Sequence, residues 1–427
     1  MRKLHYDVVV IGGGPAGLAA AVSAKKNGAG SVLIVERDFR MGGILEQCIH
    51  TGFGLKYFGE EMAGPEYAAR FISRAEDLGV EFLLNTMVLS IEAETRTIHC
   101  VNSSDGTIAV QAGAIVLAMG CRERTRAAVV MPGTRPAGIF TAGTAQRFVN
   151  VQNYLCGNKV VIVGSGDIGM IMARRMTLEN VKVEAVVEIM PFLAGLTRNR
   201  VQCLDDFGIP LYLSHTVTQI HGKKRVSGVT VAEVGKDMQP IAGTEFDIDC
   251  DTVLLSVGLI PENEISSKAG VRLDPLTKGP VVDHTMQTSV PGIFASGNVV
   301  HVNDLVDNVS HESETAGKYA AEFSARERKA EQEKKVSLVP GEGVRYVVPQ
   351  IVSKDYVDDK VTAYFRVRST MRNVIIQGVA GDEVIAKRKR NIVNPGEIEN
   401  LTFGSEVLKT CGADKITVRV VMQKDQA

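Results

Sequence analysis

Two glycine-rich turns carry the residues whose types and spacing could do chemistry: Gly12-Gly13-Gly14-Pro15-Ala16-Gly17 and Gly164-Ser165-Gly166-Asp167-Ile168-Gly169. Each follows a β-branched run, residues 7–11 and 160–163, and each opens an amphipathic stretch. Runs of that kind suit strands buried on both faces of a parallel sheet. In a strand that turns on glycine into a helix, Gly12 and Gly164 permit the tight turn. Gly14 and Gly166 let backbone N–H groups approach a pyrophosphate, and Gly17 and Gly169 let the helix pack closely on its strand.

An acidic residue closes the next strand in both copies, Glu36 after residues 31–35 and Glu188 after residues 183–187. Both stand 24 residues beyond the first glycine of their turn (36 − 12 and 188 − 164). A carboxylate there accepts hydrogen bonds from ribose hydroxyls and repels a 2′-phosphate, so the second site is expected to take NAD in preference to NADP. No arginine or lysine follows Glu188 until Arg198.

The elements that must position these turns fit a multi-domain enzyme. A chain of 427 residues, 45% of them hydrophobic, has length for about three domains. A net charge of −1 makes no case for nucleic acid or an anionic membrane. No apolar run approaches a membrane span, and residues 1–7 lead straight into the first strand without a signal peptide, so a cytoplasmic location is expected. The seven cysteines, at 48, 100, 121, 156, 203, 250 and 411, include no C-x-x-C pair, which argues against a zinc or iron–sulfur site built by this chain alone.

The pattern predicts a helix from Gly64-Pro65-Glu66, a strand over 80–84, a buried strand over 114–120 and its echo over 252–258. A strand turning on glycine over 292–298 leads to a helix over about 308–328, whose charged tail, 326–335, reads as a solvated helix end and linker. Val339-Pro340-Gly341 marks a boundary, and beyond it residues 344–348, 361–367, 373–377 and 416–421 read as strands of a small all-β module. Within it Lys387-Arg388-Lys389-Arg390 reads as a solvated hairpin, with a docking site for an acidic partner as the alternative.

Over residues 5 to 325 the chain resembles the pyridine nucleotide-disulfide oxidoreductase superfamily, in its thioredoxin-reductase-like branch. The likeness rests on VVVIGGGPAGLAAA, RMGGIL, AGPEYAARF, NTMVLSI, AIVLAMGCRER, VVIVGSGDIG, LLSVGLIPEN and VPGIFASGNV in that order. It implies an α/β fold with two Rossmann-like dinucleotide-binding domains and a small C-terminal all-β domain. The FAD domain would be residues 1–122 and 259–330, the inserted NAD(H) domain 123–258, and the β-rich domain 336–427. By the same resemblance Gly12, Gly14, Pro15, Ala16, Gly17, Glu36 and Arg37 would hold the ADP half of FAD, with Gly43 near its phosphates and the backbone of Val88 at the adenine. Ala118 and Gly120 would border the flavin, and Gly297 and Asn298 would meet its ribityl and pyrophosphate region, although the family usually has aspartate at 298. The helix after Ser310 would aim its N-terminal dipole at the flavin pyrimidine. Gly164, Gly166, Asp167, Ile168, Gly169 and Glu188 would hold NAD(H), bordered by Gly258.

The redox dithiol of the family is missing. Leu45 and His50 stand where the glutathione-reductase-like branch has its cysteines, and residues 140–146 are cysteine-free where the thioredoxin-reductase-like branch has them. Electrons must therefore leave the flavin by another route. The segment PGTRPAGIFTAGTAQ, residues 132–146, resembles dithiol-free α subunits of hydrogen cyanide synthase, opine oxidase and dye-linked proline dehydrogenase. The whole chain resembles still more closely oxidoreductases that accompany a glycerol-3-phosphate-dehydrogenase-like flavoprotein. The resemblance implies an oligomeric electron-transfer assembly whose partners are a small cysteine-rich iron–sulfur-type protein and a flavoprotein dehydrogenase. Two rival readings stand beside it. One is a stand-alone NADH oxidase or peroxidase centred on Cys48, with His50 able to tune flavin proton transfer; the other is a structural subunit that holds cofactors only as a scaffold.

Overall fold

The computed structural model describes residues 2–325, 334–354 and 360–423. They fall into two compact units, Met1–Cys121 with Pro261–Ala427, and Arg122–Ile260.

In the first unit, β1 (Arg2–Ile11) runs parallel between β2 (Val32–Val35) and the strand Gly106–Leu117. Val8, Val9 and Val10 are wholly buried, as a central parallel strand requires of both its faces. Glu81–Leu83 extends the sheet in parallel beyond β2. On the other side the sheet turns antiparallel through Thr97–Asn102 and Thr86–Glu92, and Ile293–Ala295 pairs in parallel with the end of Gly106–Leu117. The connection from β1 to β2 runs through α1 (Pro15–Lys26), so the mouth of the first glycine turn lies at the carboxyl ends of the strands. In open α/β sheets ligands bind there.

Helix α1 packs against the helix Val306–Ala325. Their approach is close: a Cβ on Gly317 would lie 2.0 Å from the Ala20 carbonyl oxygen. This second helix starts at Val306, earlier than the residue patterning indicates, because residues 306–309 already present buried Asp307 and Val309 to the core. Residues 326–328 and most of the charged tail lie outside the described residues.

The C-terminal residues form a five-stranded sheet, ordered Ile351–Ser353, Lys335–Pro340, Lys415–Met422, Met371–Ala380 and Glu383–Val393, and a three-stranded sheet of Val344–Val348, Lys360–Val367 and Glu399–Gly404. Alternate residues of Lys360–Val367 point inward, and Phe365, Phe403, Ile376 and Val418 share one core. Two details differ from the sequence pattern: Val339-Pro340 ends a strand instead of breaking the chain, and a short helix, Ser405–Thr410, accompanies the strands. Lys387–Arg390 lies on the second strand of an antiparallel hairpin, Met371–Ala380 with Glu383–Val393, its first three residues exposed, with Arg388 bonded to Asn400 and Arg390 to Glu399.

The second unit has five parallel strands in the order Ile139–Thr141, Thr252–Leu255, Lys159–Val163, Lys182–Glu188 and Leu211–Leu213. The helix Asp167–Leu178 follows the second glycine turn, and a separate antiparallel sheet holds His215–His221, Gly228–Glu233 and Phe246–Ile248.

Because the Gly317 contact is with backbone, it cannot relax by side-chain rotation. Gly317→Val is expected to lower stability by about 3 kcal/mol through overpacking. Gly412→Ala, where an added Cβ meets nothing within 4 Å, is expected to change it by less than about 0.5 kcal/mol. Equilibrium unfolding of the two variants beside the parent checks the difference.

Candidate nucleotide-binding sites

The first cradle is built of backbone. Gly12 takes φ +108, a conformation open to glycine, and its N–H donates to Val35 O at 2.9 Å. A Cβ on Gly17 would fall 1.8 Å from Gly12 O, so α1 can start only if residue 17 has no side chain. The N-cap of α1, Gly14, makes no side-chain capping bond, which leaves the helix N-terminus for an anion. Two distant segments close on this turn. Gly42 N donates to Gly13 O at 2.8 Å, and a Cβ on Gly43 would lie 2.9 Å from Gly14 Cα. From the other side, a Cβ on Gly297 would lie 2.8 Å from Ala16 Cβ.

Glu36 is 7% exposed and is held at both oxygens, Oε2 accepting Gly13 N–H at 2.6 Å and Oε1 accepting Asp38 N–H at 2.8 Å. Each oxygen keeps a further lone pair that can accept from a ribose hydroxyl. The second cradle repeats the device. Glu188 Oε2 accepts Ser165 N–H at 2.8 Å, Oε1 accepts Met190 N–H at 2.9 Å, and Gly164 (φ +95) donates to Val187 O at 2.7 Å. One difference separates the copies: the Ser165 hydroxyl also donates to Glu188 Oε2, at 2.7 Å, leaving that oxygen saturated.

The remaining sequence-marked residues take several positions. Ala118 is buried, and its N–H donates to Ile11 O at 2.9 Å beside the first turn. Gly120 takes φ +70 and accepts Glu262 N–H at 3.0 Å. Val88 is buried in the strand Thr86–Glu92, whereas the Arg37 side chain is exposed. Pro15 opens α1 and supplies no N–H to the cradle. Asn298 Oδ1 accepts Asn303 N–H at 2.9 Å, and its amide approaches Cys121 Sγ at 3.7 Å. In the second unit Asp167 directs Oδ1 to Leu196 N–H and the Asn199 amide, anchoring residues 194–199 over the turn. Gly166 caps the helix without a side chain, Ile168 packs into the core beside it, and Gly258 (φ +104) accepts Arg124 N–H at 2.9 Å.

Residue patterning missed Ser256, whose hydroxyl accepts Gly169 N–H at 3.1 Å while its carbonyl lies against Gly164. Its only signal is a serine two residues before Gly258. It also missed Glu312, whose Oε1 accepts Gly297 N–H at 2.8 Å and which no local motif marks.

Cys48 is not prepared for thiolate chemistry. Its Sγ donates to Ile44 O at 3.2 Å, and burial pushes the thiol up to about 12. Burial likewise raises Cys100 and Cys250 to about 12 and Cys203 to about 11. None of the seven cysteines is in a disulfide. His50 pairs through Nδ1 with Thr51 O at 3.0 Å and packs on Phe53 at 5.1 Å. Among the described residues no group of His, Cys, Asp and Glu could hold a metal, and no helix is long and apolar enough to cross a membrane.

Both cradles fit a dinucleotide on the same grounds: an uncapped helix N-terminus, bare backbone where a Cβ would fill the space, and an oriented carboxylate with acceptor capacity to spare. At pH 8 a thiol at about 12 holds roughly a thousandfold less thiolate than one at 9. Native Cys48 is therefore expected to resist iodoacetamide at pH 8 and to react at an ordinary rate once unfolded, as peptide mass spectrometry would read.

Residues 6–316 match the family model described as pyridine nucleotide-disulphide oxidoreductase. An opine oxidase subunit of Agrobacterium tumefaciens is 27% identical over 75% of this chain and 64% of its own length. The HcnB subunit of hydrogen cyanide synthase from Pseudomonas protegens is 27% identical over 63% of this chain and 60% of its own. The chain thus spans less than two thirds of both relatives. Thioredoxin reductase of T. acidophilum superposes with a TM-score of 0.62 at 27% identity, covering 75% of this chain and 99% of that one. The family is FAD-dependent and uses NAD(P)H. With its two cradles and this match, the chain belongs to the pyridine nucleotide-disulphide oxidoreductase family.

Proposed function

We propose that this chain passes electrons between NAD(H) and a partner flavoprotein dehydrogenase, with the first cradle holding FAD and the second NAD(H). The observation that carries the reading is the loss of the dithiol from both family positions while both cradles stay intact. Leu45 and His50 occupy one position, residues 140–146 contain no cysteine at the other, and none of the seven cysteines is in a disulfide. A reductase that spent its electrons on a disulfide substrate would need that pair.

Bound FAD supplies hydride exchange with the nicotinamide. The chain's own residues bind and orient: Gly12, Gly14 and Gly17 shape the first pyrophosphate seat, Glu36 takes the ribose, and Gly43 and Gly297 close the seat from two sides. Gly164, Gly166 and Gly169 do the same in the second unit. There Glu188, with Ser165 saturating one oxygen and no cation nearby in sequence before Arg198, supports NADH over NADPH. No side chain is assigned covalent chemistry. The relatives named as subunits of opine oxidase and hydrogen cyanide synthase support a partner that oxidises an amine or amino-acid-like substrate. The raised thiol of Cys48 counts against an oxidase or peroxidase built on it.

Anaerobic stopped-flow absorbance tests the reading. NADH is expected to bleach the flavin at least about tenfold faster than NADPH, the discrimination of a single unfavourable charge contact. Air should reoxidise it slowly, a dithiol-reactive dye should not turn over, and Cys48→Ser should leave oxygen consumption unchanged. Flavin that neither nucleotide bleaches would sink the proposal and favour the scaffold role.

A further inference from the structure

The segment between Asn298 and the helix Val306–Ala325 is gripped by the C-terminal sheets. Asp304 pairs with the Arg366 guanidinium and accepts Ile398 N–H at 2.7 Å through its other oxygen. The same guanidinium donates to Val302 O and to Pro395 O, each at 3.1 Å. The pair is nearly enclosed, with side chains 14% and 12% exposed. Three residues earlier, His301 is 1% exposed, and its ring packs on Tyr346 and Tyr364 at 6.0 and 6.2 Å. His301 Nε2 lies 3.0 Å from Glu312 Oε2, and Glu312 Oε1 accepts the N–H of Gly297, the residue pressed against Ala16 of the first cradle.

A continuous chain of contacts therefore leads from the C-terminal sheets to the first glycine turn. We propose that the C-terminal β module is a working part of the flavin site, in which His301 and Glu312 are positioning residues that fix Gly297-Asn298 against the cradle under the brace of Tyr346, Tyr364 and the Asp304–Arg366 pair. The proposal rests on the assignment of the first cradle to FAD, and is independent of the nucleotide donor and of any partner.

Two physical points give it consequences. A buried carboxylate is tolerated only with its hydrogen bonds made, so removing the His301 donor leaves Glu312 short and frees Gly297 to shift. His301 Nδ1 has no hydrogen-bond partner, so Nε2 is the ring nitrogen that donates and Glu312 Oε2 the oxygen that accepts. Burial first, and the Glu312 charge second, push the Tyr364 hydroxyl up to about 12, so that hydroxyl stays protonated. A fixed negative charge close to a flavin opposes the addition of electrons to it.

The test is FAD binding by fluorescence titration and the flavin midpoint potential by dye equilibration, on the full chain with its melting curve. His301→Leu and Arg366→Gln are expected to weaken FAD about tenfold or more, the loss of one hydrogen bond to a charged group. His301→Gln, whose amide can still donate to Glu312, should recover most of that affinity. Glu312→Gln keeps an acceptor for Gly297 N–H but removes the charge, and should raise the midpoint potential while retaining FAD. A merely structural role would not move the potential. Unchanged affinity in His301→Leu and Arg366→Gln, or an unchanged potential in Glu312→Gln, overturns the proposal. Should the first two fail to fold, the near-isosteric His301→Gln and Glu312→Gln decide it alone. A parent chain that binds no FAD overturns the cradle assignment instead.

Discussion

A carboxylate folded back onto a glycine turn holds each nucleotide cradle in shape. Glu36 and Glu188 are 7% and 4% exposed, and a buried carboxylate without partners would cost several kcal/mol. Each is satisfied by the backbone N–H of the residue directly after the first glycine of the turn and by the N–H two residues beyond itself. Those donors are in reach only if the turn is tight, and it is tight only because Gly12 and Gly164 adopt positive φ and donate back to Val35 and Val187 at the adjoining strand ends. Strand pairing, turn and acid therefore form one cooperative unit. The same solution in two units that differ in nearly every other residue shows that the constraint is physical.

The units part company in what surrounds the turn. In the second unit the turn is backed by Ser256 and overlain by residues 194–199, all from its own parallel domain. In the first, residues 42–43 and 297 converge from separate parts of the chain, and the C-terminal sheets add to the core beneath them, with Tyr346 and Val348 buried in the same cluster as Val9 and Ile115. Gln350 and Ser353 extend this seam through bonds to Val282 and His284. The three-stranded sheet is thus not an appendage on a linker; its side chains complete the hydrophobic packing of the first unit.

What was legible in the residues divides along the same line. Both turns, both strand-end acids, α2 (Gly64–Asp77) and the parallel strands follow from local rules, because a buried parallel strand must be apolar on both faces and a pyrophosphate turn must be glycine-rich. Four C-terminal strands were legible from alternation, but Glu383–Val393 was not: as a sheet edge it carries Lys387–Arg390, and edges favour charge over the hydrophobic pattern that marks central strands. Ser256, His301, Glu312 and Asp304 were invisible for another reason. Each acts through a partner at least 10 residues away, and no period or spacing encodes a tertiary hydrogen bond.

Burial of the thiols bears on how the chain came to lack a disulfide without losing its framework. Cys48, Cys100, Cys203 and Cys250 sit where desolvation keeps sulfur protonated, so they behave as small apolar groups in the packing. Leu45, which the family resemblance sets at one of the missing cysteine positions, is 2% exposed and belongs to the first unit's core. An apolar side chain there strengthens the loop that carries Gly42-Gly43 onto the first turn, where a dithiol would have to stay accessible to react. On that resemblance, giving up the dithiol and tightening the cradle are compatible changes, because an apolar residue at 45 also stiffens the loop that seats Gly42-Gly43 against the first turn.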